Sequence, residues 1–359
     1  MPTDFDPALP LERASTIPSD WYIDPARHRF ERDTVFAPSW QCVARAEQLR
    51  EPGQFVAFEF AGEPILLVRG TDGVLRSFFN VCRHRAAPIA NEPEGCASKL
   101  RCRYHGWTYD LAGRLIGLPE FAGVCDFERE DNGLVPAGVV QECGPFVWWK
   151  LNRDETKVDS TFAPFFSSID FDGLVWKARQ SYDIACNWKV AVDNYLDGGY
   201  HIQSVHPALA GAIDYAAYRT ETFAHCSVQS APLVTAPGDV GSTRRGAAAY
   251  WWLWPNFMVN RSAGVMDTNW VQPLAHDRCR VIFDFYFDAG TAPEFIEQSI
   301  RVAEQVQQED VTICEAVQRG LGSRSYRTGR YSVKRENGGH HFHRLLAESG
   351  RAVSSSSTV

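Results

Sequence analysis

The sequence predicts an α+β chain in which a small all-β domain precedes a larger domain of mixed strands and helices. Three observations point there. From about Phe55 to Trp149 the text is short and strand-like, with glycine-containing turns between the runs. After a polar stretch, Asn152 to Ser160, strands such as Arg280–Phe287 alternate with long helical patterns. The chain's 359 residues are also enough for two separate cores. The expected divisions are an N-terminal segment over 1–37 that packs on the second domain, an all-β domain over 38–150, and an α+β domain over 151–359.

In the first domain Gln54–Phe60, Ile65–Val68, Leu75–Phe79 and Pro145–Trp149 read as strands. Ala61-Gly62-Glu63 and Thr71-Asp72-Gly73 read as turns. In the second domain a helix is expected from Asn187 to His201, with Trp188, Val192 and Tyr195 at core spacing. Another is expected from Pro293 to Arg319, opened by its proline and ended by Gly320-Leu321-Gly322. On that helix Ile300, Ala303, Asp310, Cys314 and Val317 share one stripe.

Bulk properties exclude several function classes. A formal charge of -8 argues against a nucleic-acid binder. The most apolar run, Ala247 to Pro255, is far too short to span a bilayer, and the N-terminus has no signal-peptide pattern. Ten cysteines are present without a disulfide framework, which predicts a reduced, cytoplasmic protein.

Cys82-Arg83-His84 and Cys102-Arg103-Tyr104-His105 form the most informative pattern. Two thiolates and two imidazoles at this spacing suit a Rieske-type [2Fe–2S] cluster, with the cysteines on one iron and the histidines on the other. The same donors also make a zinc set, but zinc fingers usually pair like with like, whereas each of these hairpins offers one cysteine and one histidine. A one-electron relay needs an acceptor. Asp193, Asp197 and His201 are spaced four apart on the first expected helix and would stack on one face. His206 precedes Pro207, which disfavours helix at His206, and Gly198-Gly199 weakens the same turn. Both imidazoles can then converge with Asp310, a carboxylate on an otherwise apolar stripe. Two histidines and a carboxylate with open positions describe the facial triad of non-haem Fe(II) oxygenases.

On these residues the chain resembles the catalytic subunit of the Rieske non-haem iron oxygenases, over nearly its whole length. Asp193-Asn-Tyr-Leu-Asp-Gly-Gly-Tyr-His201, Trp254-Pro-Asn-Phe-Met-Val-Asn260, Met266-Asp-Thr-Asn269, Glu309-Asp310 with Val317-Gln-Arg-Gly320, and His340-His-Phe-His343 resemble the branch that contains choline monooxygenase. The resemblance implies a helix-grip catalytic domain with an antiparallel sheet flanked by helices. It also implies O2 as co-substrate, electrons from NAD(P)H delivered through a ferredoxin or flavin reductase, and a homotrimer in which one subunit's cluster serves the next subunit's iron. A carboxylate is expected to bridge His201 to His105 of the partner subunit. Where relatives commonly carry that Asp, three residues before the first histidine, this chain has Gly198, so Asp197 is the stand-in and Asp193 the reserve.

Trp251, Trp252, Trp254, Phe257 and Trp270 gather in one stretch and could hold a quaternary ammonium, although such a run on a strand is more often core. Trp254, Asn260 and Trp270 are the candidate pocket residues. By the resemblance, Ser262-Ala-Gly-Val265 stands where the plant choline enzymes carry bulky aromatics, and the smaller lining implies a different or bulkier substrate, such as an aromatic or heterocyclic amine. The expected substrate is a small organic amine, choline-like, with an aromatic or heterocyclic amine or ring as the alternative. Arg83, Arg85, Lys99, Arg101 and Arg103 form a local basic patch able to steer an acidic electron donor. The His340-His341-His343 run reads as a packed or surface tail. A Rieske electron carrier without oxygen chemistry and a zinc-stabilised binding protein are the remaining readings.

Overall fold

The computed structural model describes residues 5–206, 210–211, 213–234 and 247–356. Pro207, invoked above to loosen the turn at His206, lies outside them. The chain is α+β and divides into two compact units, residues 36–161 and residues 1–35 with 162–359.

The 36–161 unit is built from three antiparallel sheets. Gln54–Phe60 pairs with Glu63–Arg69, which pairs with Leu75–Phe79. Glu94–Cys96 closes the other edge of that sheet. Gln41–Arg45, Phe146–Lys150 and Val139–Cys143 form the second, and Leu100–Arg101, Thr108–Tyr109 and Leu115–Gly117 the third. Leu66, Val68, Trp107 and Tyr109 bury against Cys82 and Cys102, so the sulfur side of the cysteine–histidine motif belongs to the core.

The other unit is organised by a seven-stranded antiparallel sheet in the order Leu174–Ile184, Arg278–Asp288, Val265–Ala275, Phe257–Ser262, Ala247–Leu253, Cys226–Pro232, Arg219–Thr222. The first strand alternates half-buried and exposed along its length, the period-two signature of a sheet with one covered face. The helix that starts at Pro293 runs to Leu321, two residues past the expected end, with Gly322 as its cap. Among the described residues no helix is long and apolar enough to cross a membrane.

One expectation fails in a way that shapes the site. The helix begun at Asn187, whose side chain accepts from Lys189 N as an N-cap, stops at Tyr195 instead of His201. Gly198 and Gly199 both take positive φ, +68° and +70°, and a Cβ on Gly198 would lie 2.0 Å from the Arg335 carbonyl oxygen. The chain therefore leaves the helix through a turn that only glycine can make here. It resumes as one short turn, Ile202–Val205, before His206 at φ -119°.

A buried ion pair fixes that helix. Lys189 Nζ lies 2.8 Å from both oxygens of Glu31, which also accepts from Trp188 Nε1 and Arg27 Nε. Glu31 and Lys189 are fully buried, so the N-terminal Pro25–Glu31 helix is locked to Trp188–Tyr195.

Candidate functional site

His201 and His206 come together as their types and spacing suggested. His201 Nδ1 donates to Asp197 Oδ2 at 2.5 Å, and His206 Nδ1 donates to Glu309 Oε2 at 2.6 Å. With both Nδ1 protons so engaged, the Nε2 atoms present lone pairs to one another at 3.0 Å. Asp310 Oδ1 stands 3.1 Å from His206 Nε2 and 3.8 Å from His201 Nε2, held by Asn194 Nδ2 at 2.8 Å. Burial opposes protonation of His206, but the hydrogen bonds and charges of Asp310 and Glu309 outweigh it and hold the imidazole above its usual pKa.

This donor set fits a metal ion. One atom from each of His201, His206 and Asp310 lies within 4.8 Å of the others. Two ligands at right angles and about 2.1 Å from a metal stand roughly 3.0 Å apart, the separation of these Nε2 atoms. Facing lone pairs without a cation between them would repel.

The second donor set sits on two loops of like construction. In one, Cys82 N donates to Ala87 O and Ala86 N to Cys82 O; in the other, Cys102 N donates to Trp107 O and Gly106 N to Cys102 O. Ala86 and Gly106 both turn at positive φ. The two thiols are buried, His84 is half-buried and His105 exposed. The imidazole rings stand 4.6 Å apart, His84 stacks on Trp107 at 4.8 Å, and Tyr109 hydroxyl lies 3.4 Å from Cys82 Sγ. Burial first, and Cys102 beside it, raise the Cys82 thiol pKa against the opposing hydrogen bonds. Paired thiols inward and paired imidazoles outward fit a cluster whose electrons pass through the histidine side.

The His201–His206–Asp310 set opens into a cavity of about 190 Å³. Its floor is the inner face of the sheet, with Tyr250, Met258, Asn260, Asp267, Asn269 and Phe283; its roof is the Pro293–Leu321 helix. Asn260, one of the candidate pocket residues, lines the cavity and accepts from Tyr195 hydroxyl at 2.8 Å.

Several expectations are corrected. Trp254 and Trp270 do not line this cavity. Trp270 is in register with Phe257 and points opposite to its neighbours Asn269 and Val271, which do; Trp254 packs on Trp252 and Phe342. Among the described residues the cavity's tyrosine and phenylalanine rings are Tyr195, Tyr218, Tyr250 and Phe283. Ser262-Ala-Gly-Val265 is the hairpin turn between two strands, so its small residues say nothing about the lining. Asp193 leaves the imidazoles because the helix ends two residues later. It accepts instead from Tyr22 hydroxyl at 2.5 Å, with His343 Nε2 at 2.9 Å. His340 and His343 are buried helix residues. Glu309, Asn194 and the cavity role of Asp267 and Asn269 escaped the sequence reading. Glu309 and Asn194 each sit beside a residue already singled out, and adjacency alone gave them no role.

Comparison with known proteins agrees with this geometry. Residues 39–128 match the Rieske [2Fe-2S] domain, and residues 171–349 match the catalytic domain of the ring hydroxylating alpha subunit. The chain is 39% identical to the chloroplastic choline monooxygenase of Arabidopsis thaliana, over 96% of its own length and 85% of that protein's. It is 30% identical to the carnitine monooxygenase oxygenase subunit of Escherichia coli K12, over 94% of both chains. The crystal structure of the quaternary ammonium Rieske monooxygenase CntA in complex with L-carnitine superposes with a TM-score of 0.85, at 29% identity, covering 98% of this chain and 99% of the other. Two donor sets of the right chemistry, each on its own unit, and similarity along the whole length place this chain in the family of Rieske non-haem iron oxygenases, as an oxidoreductase that uses a [2Fe–2S] cluster and a mononuclear iron with O2 on a small molecule.

Proposed function

We propose that this enzyme is a monooxygenase of quaternary or methylated ammonium compounds, choline-like in size. The observation that carries the reading is the convergence of two Nε2 lone pairs and Asp310 at the wall of a cavity edged by four aromatic rings. Ring faces attract such cations by roughly 0.5–2 kcal/mol each. His201, His206 and Asp310 hold Fe(II), and Cys82, Cys102, His84 and His105 hold the cluster, making the 36–161 unit the electron-transfer domain, eleven residues longer at its end than the expected 38–150, and the other unit the catalytic one. When bound, the cluster relays single electrons and the iron activates O2, with NAD(P)H as their source through a reductase.

The protein's own residues do the rest. Glu309 and Asp197 fix the imidazole tautomers, Asn194 orients Asp310, and the apolar walls exclude water. Arg83, Arg85, Lys99, Arg101 and Arg103 are all exposed and form the docking face for an acidic ferredoxin or flavin reductase. Asp197, 16% exposed at its side chain, is the carboxylate that bridges to His105 of the partner subunit in a homotrimer. Ten cysteines without a disulfide framework in their spacing favour a cytoplasmic, reducing setting.

Metal analysis should find about three irons and two sulfides per chain. Single turnover of the reduced protein with O2, against a panel of quaternary and aromatic amines read by mass, tests the substrate class. An oxygenated quaternary amine is the expected product. Turnover of aromatic amines alone would overturn the reading.

A further inference from the structure

Among the described residues five side-chain amides line the cavity, and their hydrogen bonds sort them. Asn194 is committed to Asp310. Gln229 is engaged at both ends: its Oε1 accepts from Tyr218 hydroxyl at 3.2 Å, and its Nε2 donates to the Tyr195 carbonyl at 2.7 Å. Asn260 is engaged at both ends too, accepting from Tyr195 hydroxyl and donating to Asp267 Oδ1. A carboxylate oxygen only accepts, so that contact fixes which way the Asn260 amide points. The same Nδ2 meets Asn269 Oδ1 at 3.3 Å, which turns the Asn269 amide so that its own Nδ2 is left over. That Nδ2 is buried without a hydrogen-bond partner among the described residues. Gln307 is engaged at neither end. Its side chain is almost wholly buried, at 8% exposure of the residue, and makes no hydrogen bond among the described residues.

Both amides sit in apolar walls. On the floor, Asn269 is paired across the sheet with Met258 on one side and Phe283 on the other, at about 5 Å between Cβ atoms. On the roof, Gln307 shares a helix face with Ala303 and with Asp310, which is three residues on and so roughly 5–6 Å away at Cβ. A buried amide without a partner is costly, and such a group in a native fold asks for an explanation. Water can serve in the resting enzyme. A substrate that fills a cavity of about 190 Å³ expels that water, and it binds well only if it replaces the lost hydrogen bonds. A quaternary ammonium group cannot do so, because it has neither a lone pair nor an N–H. The partner is therefore on another part of the molecule, and an oxygen fits: it accepts from Asn269 Nδ2 and meets Gln307, whose amide can donate or accept. We propose that Asn269 and Gln307 are specificity-determining residues that hold an oxygen atom of the substrate, an alcohol or carboxylate oxygen, one helical turn from Asp310, so that the pocket selects ammonium compounds carrying such an oxygen over plain alkylammonium ions. This deepens the quaternary ammonium reading and rests on it.

Binding to the intact iron-loaded enzyme under argon, followed by calorimetry, tests the assignment without turnover. The probes are choline, glycine betaine and propyltrimethylammonium, in which a methyl group replaces the choline hydroxyl. The tighter of choline and glycine betaine identifies the oxygen as that of an alcohol or of a carboxylate. It should bind at least about tenfold more tightly than propyltrimethylammonium, which leaves the buried amides without a partner. Asn269→Leu and Gln307→Met, each close in shape to the residue replaced, should cut that ratio by about fivefold or more and leave propyltrimethylammonium within about twofold. A merely structural role would weaken all three ligands together and leave the ratio as it was. Equal binding of all three by the unaltered enzyme, which needs no variant to fold, would overturn the assignment. So would a preference for the oxygen that survives both variants, as one set by the metal would. Alkylammonium ions bound without regard to an oxygen defeat this inference alone; no ammonium ion bound at all defeats the quaternary ammonium reading with it.

Discussion

Asp197 Oδ2 lies 2.5 Å from the Nδ1 of His201 and 3.0 Å from its backbone nitrogen, so one carboxylate oxygen fixes both the ring and the chain of this residue. Asn at 197 keeps an acceptor for the Nδ1 proton but loses the negative charge beside the ring. Asp197→Asn should therefore retain all the iron while slowing single-turnover oxygenation by about 10–100-fold. Wild-type turnover coupled to NADH in that variant would remove the bridging role.

Gly198, three residues before His201, is the place where the family resemblance leads one to expect a bridging carboxylate, and a side chain does not fit there. Its φ is +68°, and a Cβ would stand 2.0 Å from the Arg335 carbonyl oxygen. The left-handed conformation alone costs a non-glycine residue about 1–2 kcal/mol, and the clash adds to it. Gly198→Ala and Gly198→Asp should both lower the melting temperature and the content of mononuclear iron while sparing the visible spectrum of the cluster. Full iron and activity in Gly198→Asp would show that the turn can rearrange.

Glu309 holds His206 from the side opposite the metal position, at 2.6 Å from Nδ1. Removing it frees the ring to rotate or change tautomer. Glu309→Ala should weaken mononuclear iron binding by about 10–100-fold, with Glu309→Gln intermediate because its amide oxygen still accepts. Competition with a chelator reads the effect directly, and an unchanged affinity would assign Glu309 to the surface.

The convergence of His201, His206 and Asp310 was legible in the sequence because their chemistry is rare and the histidine spacing is short. His201 and His206 are five apart, and Asp310 stood out as a carboxylate on an apolar stripe. What orients them was not legible. Glu309 adjoins Asp310, and neighbours on a helix ordinarily face apart; here His206 is reached from a different helix, so only tertiary structure reveals the pair. The end of the helix at Tyr195 depended on close approach of the Arg335 backbone to Gly198, a contact 137 positions away in sequence. The tryptophans misled because strand parity decides which side a residue faces. Asn269 and Trp270 are adjacent, and one lines the cavity while the other does not.

Glu31 and Lys189 are the buried charges that hold the helix bearing Asn194. Burial lowers the Lys189 pKa and Glu31 opposes the drop. Truncating the acid leaves an ammonium in the core with no carboxylate at 2.8 Å. Glu31→Ala should cost about 3–5 kcal/mol of stability, measured by urea unfolding. The double variant Glu31→Leu with Lys189→Met should recover only part of that loss, since the Lys189 charge goes with its partner while the buried Arg27 and the Trp188 indole still lose their acceptor. A single variant as stable as the wild type would mean that water reaches Lys189.

His341 makes the fold sensitive to acid. It packs edge-on against Trp252, and burial drives its pKa from 6.5 to about 4, against a raising hydrogen bond to the Phe223 backbone and with Arg344 and His225 adding to the drop. A depressed folded-state pKa means that the unfolded chain binds the proton more readily. The contribution of neutral His341 is thus whole above pH 6.5 and is lost as the pH falls toward 4, by about 3 kcal/mol at most. His340 and His225 are lowered by burial in the same direction, so the slope is shared. His341→Gln should flatten the fall of the urea midpoint across pH 6.5 to 4 without abolishing it, while costing some stability at pH 7.5 through lost packing. An unchanged slope would place the acid lability on the other buried imidazoles.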